Sequence, residues 1–319
     1  MPYGSQTKKK ESVQMIREYR TICDLSEQFL TATKIQGVTC GELGEVVSPK
    51  GDTCACQVLE VDDDKVLAVF LESPMGLDTE TCKVRFFGHS AELPLSEDLL
   101  GRTWNSQGEP LDGGPSVLPE KYASIDAHPI NPLAREGRTE TIQIKGEPPL
   151  RLGERRTITS NPHSSIAKTV AQLARSAKIE GEDKPLTIVI SAIGLPFAAR
   201  QLLTDELRRR GLTAQTTVFA SDPADKPILR LQTSYTAMTA AEYFAFDREQ
   251  QVLFIEAEVE TMAEAFAETM QSVSILPWEP PGRAGHPPSY PYADLTALED
   301  RIGCRKGKAG SITMLRIRP

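Results

Sequence analysis

After residue 152 the sequence alternates between helices and short strands rich in apolar residues, and this alternation is the strongest constraint on the fold. The segments at 186–194 (LTIVISAIG) and 251–259 (QVLFIEAEV) are short runs rich in apolar residues, and the segment at 164–179 has apolar residues at helical spacing. Strands that are apolar on both faces and joined by helices form parallel sheets covered on both sides. We therefore predict an α/β domain with a mostly parallel sheet over residues 138–319.

The same patterns give the remaining elements of this domain. Further strands are predicted at 155–160, 213–221 and 310–318, and further helices at 196–211, 236–250, 261–273 and 294–304. The stretch at 277–292 is rich in proline and glycine, so we expect it to be irregular.

The part of the chain before this domain has a different character. Residues 19–90 contain short segments rich in Val, Leu, Phe and Thr, separated by turn signals, and this spacing predicts a small N-terminal β-barrel. Residues 91–137 are dense in Gly, Pro, Asp and Asn and are predicted to be an irregular linker. Residues 1–18 are predicted to be a flexible N-terminus.

Composition excludes several classes of function. The net charge of −8 argues against non-specific binding to nucleic acid, which depends on neutralising phosphates. No apolar run reaches the roughly 18 residues that a membrane-spanning helix needs. Cys54 and Cys56 form a C-x-C without a second pair at zinc spacing, so we predict small buried hydrophobes and no metal site. A chain with such cysteines fits a reducing cytoplasm.

The predicted linker carries the most specific motif in the sequence. It reads LPLSEDLLGRTWNSQGEPLDGGPSVLP at 93–119, followed by IDAHPINPLAR at 125–135. This text resembles the segment that joins the β-barrel to the nucleotide domain in rotary ATPase subunits, and residues 130–135 resemble the B subunit of the V/A type in particular. TAMTAAEYFAF at 236–246 and PGRAGHPPSYPYADLTALEDRIG at 281–303 resemble later parts of the same subunit.

The resemblance implies an architecture and a set of partners. The α/β domain would be P-loop NTPase-like (RecA-like), and the family's usual C-terminal helical domain would be missing, because the sequence ends about where that domain should begin. The chain would be a non-catalytic B subunit that alternates with catalytic A-type subunits in a hetero-hexameric ring. The loop at 277–292 would face the central rotor shaft. The subunit would be cytoplasmic and would meet the membrane only through the complex, which translocates protons or sodium ions.

The candidate nucleotide site is a degenerate phosphate loop. A working loop follows G-x-x-x-x-G-K-[ST], because its glycines let backbone N–H groups point at phosphate oxygens. This chain has PHSSIAKT at 162–169, which keeps Lys168 and Thr169 but neither glycine. Pro162 removes a backbone donor, and Ala167 crowds the approach of the anion. An ordinary exposed helix turn is the competing interpretation of Lys168 and Thr169.

Three further positions are matched through the resemblance. Glu258 lies at the end of a predicted strand, where a Walker B acid orders magnesium; Glu256 and Glu260 would share its strand face, and a solvated strand end is the alternative account. Glu242 and Tyr235 match subunit-interface positions, although relatives often have arginine in place of Tyr235. We expect no required cofactor and no catalytic residue, and at most ATP or ADP with magnesium at a subunit interface.

Two other functions fit the same residues. The chain would be a free-standing nucleotide-binding or NTP-hydrolysing protein if Lys168, Thr169 and Glu258 act together. Alternatively, it would be a decayed paralogue that no longer assembles. Loss of a magnesium-dependent hydrolysis rate in Lys168→Ala would favour the enzyme, and failure to co-purify with an A-type subunit would favour the paralogue.

Overall fold

The computed structural model describes residues 16–160, 165–181, 186–257, 259–274 and 298–318. The chain divides into two compact units, Met1–His89 and Ser90–Pro319. Most of the predicted flexible N-terminus and the whole of the predicted irregular loop at 277–292 lie outside the described residues.

The described part of the first unit is an antiparallel sheet. Its strands are β1 (Arg17–Tyr19), β2 (Ile22–Leu25), β3 (Phe29–Ala32), β4 (Glu42–Val47), β5 (Thr53–Asp62), β6 (Lys65–Phe70) and β7 (Lys83–Ser90). They lie in the order β1-β7-β4-β5-β6-β3-β2, and irregular registers in the β2–β3 and β5–β6 pairs increase the local twist. This curled sheet is consistent with the predicted small barrel, whose closure stays a prediction. The first strand begins at Arg17, two residues before the predicted barrel.

One apolar core lies against this sheet. Cys54 and Cys56 are buried in it, which confirms that this C-x-C forms part of a hydrophobic strand face. Burial raises the pKa of the Cys56 thiol well above its ordinary range. Gly44 permits the close approach of β4 to β7, since a Cβ at this position would lie 2.4 Å from the carbonyl oxygen of Arg85.

The second unit carries the α/β fold. Its strands are β8 (Glu92–Leu95), β9 (Thr103–Trp104), β10 (Lys121–Ser124), β11 (Arg135–Glu136), β12 (Thr141–Gln143), β13 (Leu150–Arg151), β14 (Arg155–Thr159), β15 (Lys178–Ile179), β16 (Thr187–Ala192), β17 (Thr216–Ala220), β18 (Gln251–Ala257), β19 (Gly303–Arg305) and β20 (Ser311–Arg318). Its helices are α1 (Ile166–Ser176), α2 (Phe197–Arg209), α3 (Pro227–Glu242) and α4 (Val259–Ser274).

The main sheet of this unit is parallel through its centre. Strands β14, β20, β18, β16, β17 and β9 are neighbours in that order, and each pair is parallel. Strands β19 and β11 extend the sheet with antiparallel pairs beside the start of β20. The predicted, mostly parallel sheet is therefore present as the centre of a mixed sheet.

Alternate residues of the central strands face two different helical layers. Ile190 of β16 and Ile255 of β18 share a core with residues of α1 and α2, such as Val170 and Leu203. Because successive strand residues point to opposite faces, Ser191 faces the other layer, where it contacts α3. The layer formed by α3 and α4 therefore covers the second face of the sheet.

The structure corrects several predicted elements. Helix α3 begins at Pro227, not at residue 236, and is followed by a π-helical turn at Tyr243–Asp247. This helix is buried on nearly all sides and so lacks the one-sided periodicity that marks a surface helix. The helix predicted at 294–304 is wrong at its end, because Gly303–Arg305 is strand β19. The predicted irregular linker contains four strands, β8 to β11, which are too short to show alternation.

No helix among the described residues is long and apolar enough to cross a membrane.

Candidate functional site

The strand-to-helix junction that carries the degenerate loop lies between β14 and α1. Ser160 follows β14, and its backbone N–H donates to the carbonyl oxygen of Arg318 at 2.7 Å. Ser165 is the N-cap of α1, and its carbonyl oxygen accepts hydrogen bonds from the backbone N–H groups of Lys168 (3.0 Å) and Thr169 (3.1 Å). Residues 161–164, which include Pro162, lie outside the described part of the chain.

The two retained loop residues occupy the first turn of α1. The Lys168 side chain is exposed, and Thr169 is half-buried. Ala167 is 1% exposed and belongs to the core that α1 forms with the sheet. The first turn contains no acidic residue, so the positive end of the helix dipole adds to the charge of Lys168.

The glutamates near the end of β18 do not form the predicted solvated row. Glu256 is fully buried in β18, Glu260 belongs to helix α4, and Glu258 lies outside the described residues. The prediction of a solvated strand end is wrong for Glu256, because Arg316 lies directly opposite it in the register of β18 and β20. The Arg316 side chain neutralises the Glu256 carboxylate inside the protein.

Glu256 is held by two kinds of donor. The Nε of Arg316 donates to Oε2 of Glu256 at 2.7 Å, and the Ser234 hydroxyl donates to Oε1 at 2.9 Å. Ser234 is in turn 2.8 Å from the Ser191 hydroxyl. Burial, the largest single influence, would by itself lower the pKa of the Arg316 guanidinium. The Glu256 and Glu299 carboxylates together outweigh burial and raise that pKa above its ordinary value.

The two predicted interface residues lie on α3. Glu242 accepts two hydrogen bonds from Arg301, from Nε at 2.9 Å and from Nη2 at 2.7 Å. The Glu242 side chain is 20% exposed, whereas that of Arg301 is 1% exposed. Arg301 also donates to the carbonyl oxygen of Ile125. Tyr235 is buried within the second unit.

A buried arginine that the sequence interpretation missed lies at the carboxyl edge of the sheet. Arg230 on α3 is 7% exposed, forms an ion pair with Glu268, and has an Nε with no hydrogen-bond partner in the described part of the chain. A Cβ built at Gly194, which follows β16, would lie 4.0 Å from the Cδ of Arg230. Ligands of open α/β sheets bind at this edge. The only sequence signal is an arginine between the apolar residues Ile228 and Leu231.

No group of three or more His, Cys, Asp or Glu side chains in the described ranges could hold a metal ion.

The comparison with known families decides the class of the domain. The family model described as the ATP synthase alpha/beta family, nucleotide-binding domain, matches residues 144–317, just over half of the chain. The chain belongs to this family. The predicted family of rotary ATPase subunits is thereby confirmed, and the match does not distinguish between types of subunit.

The match to the ATP synthase alpha/beta family covers the second unit from the residue after β12 to the penultimate residue of β20. It includes the β14–α1 junction, Arg230 and Glu256. The linker motif at 93–135, on which the resemblance to the B subunit depends, lies before the matched residues. Members of this family are subunits of multi-subunit rotary ATPases, so the domain belongs to a class that works in assemblies.

The second unit of this family member also has a cavity of about 510 Å³ between α2 and the edge strand β9. None of the sequence-predicted site residues lines it. Its wall includes Arg102 and Asp112, whose side chains meet in two hydrogen bonds of 2.9 and 2.8 Å. The hydrogen bonds from Arg102 lower the pKa of Asp112 to about 2.

Proposed function

We propose that this member of the ATP synthase alpha/beta family is a non-catalytic B-type subunit of a V/A-type rotary ATPase. It would alternate with catalytic A-type subunits in a hetero-hexameric ring around a central shaft, in the cytoplasm at the membrane surface. The complex would couple ATP synthesis or hydrolysis to the transport of protons or sodium ions. The observation that carries the proposal is the chemistry of the β14–α1 junction.

A junction of this composition is poorly suited to wrapping a triphosphate. Backbone N–H groups converge on phosphate when glycines allow positive φ and close approach. Here the place of the second glycine is taken by Ala167, whose side chain packs in the core of the sheet, and Pro162 stands in the place of the first. To form a working phosphate loop, the chain would have to move the Ala167 methyl group out of the core of the sheet.

The acidic side of the site supports the same proposal. Magnesium in such sites is ordered by a carboxylate at the end of a strand. In β18 the buried carboxylate of Glu256 is already neutralised by Arg316. The residues left for ATP or ADP with magnesium are Lys168, Thr169 and Glu258. These three residues would contact nucleotide only where a neighbouring subunit completes the site. The neighbouring subunit would supply the catalytic residues.

Glu242 and Tyr235 would contribute to the subunit interface in different ways. The Glu242 side chain is 20% exposed, and Arg301 fixes the orientation of its carboxylate. A fixed and partly exposed acid can accept a hydrogen bond from a neighbouring subunit without loss of side-chain entropy. Tyr235 is buried and would act by shaping α3 beneath that surface.

Co-expression with a catalytic A-type subunit tests the assembly. The full chain is expected to co-purify with the A-type subunit as a ring. If only the monomer is recovered from co-expression, the subunit proposal is wrong and the decayed paralogue is favoured.

Arg230 favours a second candidate function, nucleotide binding by the lone chain. A buried guanidinium whose Nε has no partner among the described residues can bind a phosphate oxygen through a charge-assisted hydrogen bond. Calorimetric titration of the lone chain with ATP and with inorganic phosphate tests this candidate. Binding that disappears in Arg230→Met and persists in Arg208→Met, which changes an exposed arginine, would establish it. Absence of binding in the wild-type chain would leave the subunit proposal.

A further inference from the structure

Four side chains of alternating charge form a continuous series across one face of the main sheet. Arg155 contacts Glu299, with its Nη1 2.6 Å from Oε2, and Glu299 also forms an ion pair with Nη1 of Arg316. Arg316 contacts Glu256 at 2.7 Å. We call these four residues the charge series. Its two interior members, Glu299 and Arg316, each lie between two partners of opposite sign.

The charge series connects elements that are far apart in the chain. Arg155 begins β14, Arg316 belongs to β20, and Glu256 belongs to β18. Glu299 is the member that comes from outside the sheet, from the short helical turn at 298–299. The turn is therefore joined by ion pairs to both β14 and β20, and through Arg316 to β18.

The strength of each ion pair in the charge series depends on how far its side chains are shielded from solvent. The side chains of Arg316 and Glu299 are 16% and 19% exposed, and that of Glu256 is fully buried. Ion pairs shielded to this degree are less screened than surface pairs, and the loss of one partner leaves an uncompensated charge. Arg155, at the end of the series, is the exposed member.

The register of β14 makes the charge of Glu299 important. Arg155 is paired with Met314 and Thr157 with Arg316, so the two arginines lie on neighbouring parallel strands two residues apart in register. Without an anion between them, their like charges would repel across the β14–β20 pair. In the described topology β14 pairs with β20 alone, by five residue pairs, so its place in the sheet depends on this one strand pairing.

We propose that Glu299 is a positioning residue that couples the turn at 298–300 to β14, and so fixes the strand that leads into the β14–α1 junction. Displacement of the turn would remove the anion from between Arg155 and Arg316 and loosen β14. The turn would thus control the position of β14 in the sheet without contacting any ligand. The coupling does not depend on whether the junction binds a nucleotide.

Amide hydrogen exchange of the full chain tests the coupling. In Glu299→Gln, peptides covering Arg155–Thr159 are expected to exchange about tenfold faster than in the wild type, as for the loss of a partly buried ion pair. Peptides from β16 and β17 should be unchanged. Glu264→Gln, which changes an exposed glutamate on α4, is the matched control and should exchange like the wild type throughout. Wild-type exchange of β14 in Glu299→Gln would overturn the proposal.

A rescue variant separates charge coupling from simple loss of packing. In Glu299→Gln, the added change Arg155→Met removes one of the two repelling arginines. The double variant is therefore expected to exchange more slowly at β14 than Glu299→Gln alone. If the second change makes exchange faster still, the effect comes from packing and the proposed coupling is wrong.

Discussion

The pair formed by Arg301 and Glu242 gives the sharpest stability prediction. Arg301→Met removes a guanidinium that is 1% exposed and makes four hydrogen bonds, two to Glu242, one to the carbonyl of Ile125 and one to the Thr239 hydroxyl. Breaking a buried pair costs about 3–5 kcal/mol. Because the Glu242 side chain is 20% exposed and water can compensate it in part, we expect the lower end, about 3 kcal/mol.

The assay is urea unfolding followed by tryptophan fluorescence. Trp104 is buried in the second unit, so its fluorescence reports on the unit that contains the pair. A loss of about 3 kcal/mol corresponds to a fall in the unfolding temperature of about 6–12 °C for a unit of this size. Arg208→Met, at an exposed arginine, is the control and should cost less than about 0.5 kcal/mol.

A double variant tests the cause of the loss. Replacing both partners by apolar residues removes the uncompensated charge, so Glu242→Met with Arg301→Met should be more stable than Arg301→Met alone. The reasoning is refuted if Arg301→Met costs less than about 1 kcal/mol. It is equally refuted if the double variant is the less stable of the two.

Three further changes have expected outcomes in the second unit. Gly310→Ala should lower the free energy of unfolding by at least about 3 kcal/mol, measured in urea, because its Cβ would lie 1.8 Å from the carbonyl oxygen of Ala245. The pair of Asp112 with Arg102 should stabilise the fold above pH 4 and lose this effect as the pH falls towards 2, because the pKa of Asp112 is lowered from 3.8 to about 2. Solvent screening reduces the effect to about 1 kcal/mol, seen as a difference in acid stability between the wild type and Asp112→Asn. Lys168→Ala should change the unfolding free energy by less than about 0.5 kcal/mol, because this side chain is exposed.

The elements with strong apolar patterns could be predicted from the sequence. The strands predicted at 186–194, 251–259 and 310–318 are present as β16, β18 and β20, and the helices at 164–179 and 196–211 as α1 and α2. Two of these predictions are wrong at their ends, because Lys178–Ile179 is strand β15 and Val259 belongs to α4. These segments either bury both faces of a strand or show one apolar helical face, so local sequence reports their environment. Helix α3 was underpredicted because burial on nearly all sides removes that contrast.

The pairs that hold the candidate site together could not be predicted. Glu256 and Arg316 are 60 residues apart, and Glu242 and Arg301 are 59 apart. A pair of this kind depends on strand register and on the packing of α3. Neither can be predicted from the local pattern of residues in a single sequence. The sequence alone therefore predicts a solvated acid at Glu256 and gives little signal for Arg230. The matched family could be recognised because the motifs are long and contiguous.

The non-catalytic role is best tested by measuring magnesium-dependent ATP hydrolysis by the purified chain without any partner. We expect a rate equal to that of the buffer, the same in the wild type and in Lys168→Ala. Turnover by the lone wild-type chain that is lost in Lys168→Ala would contradict it.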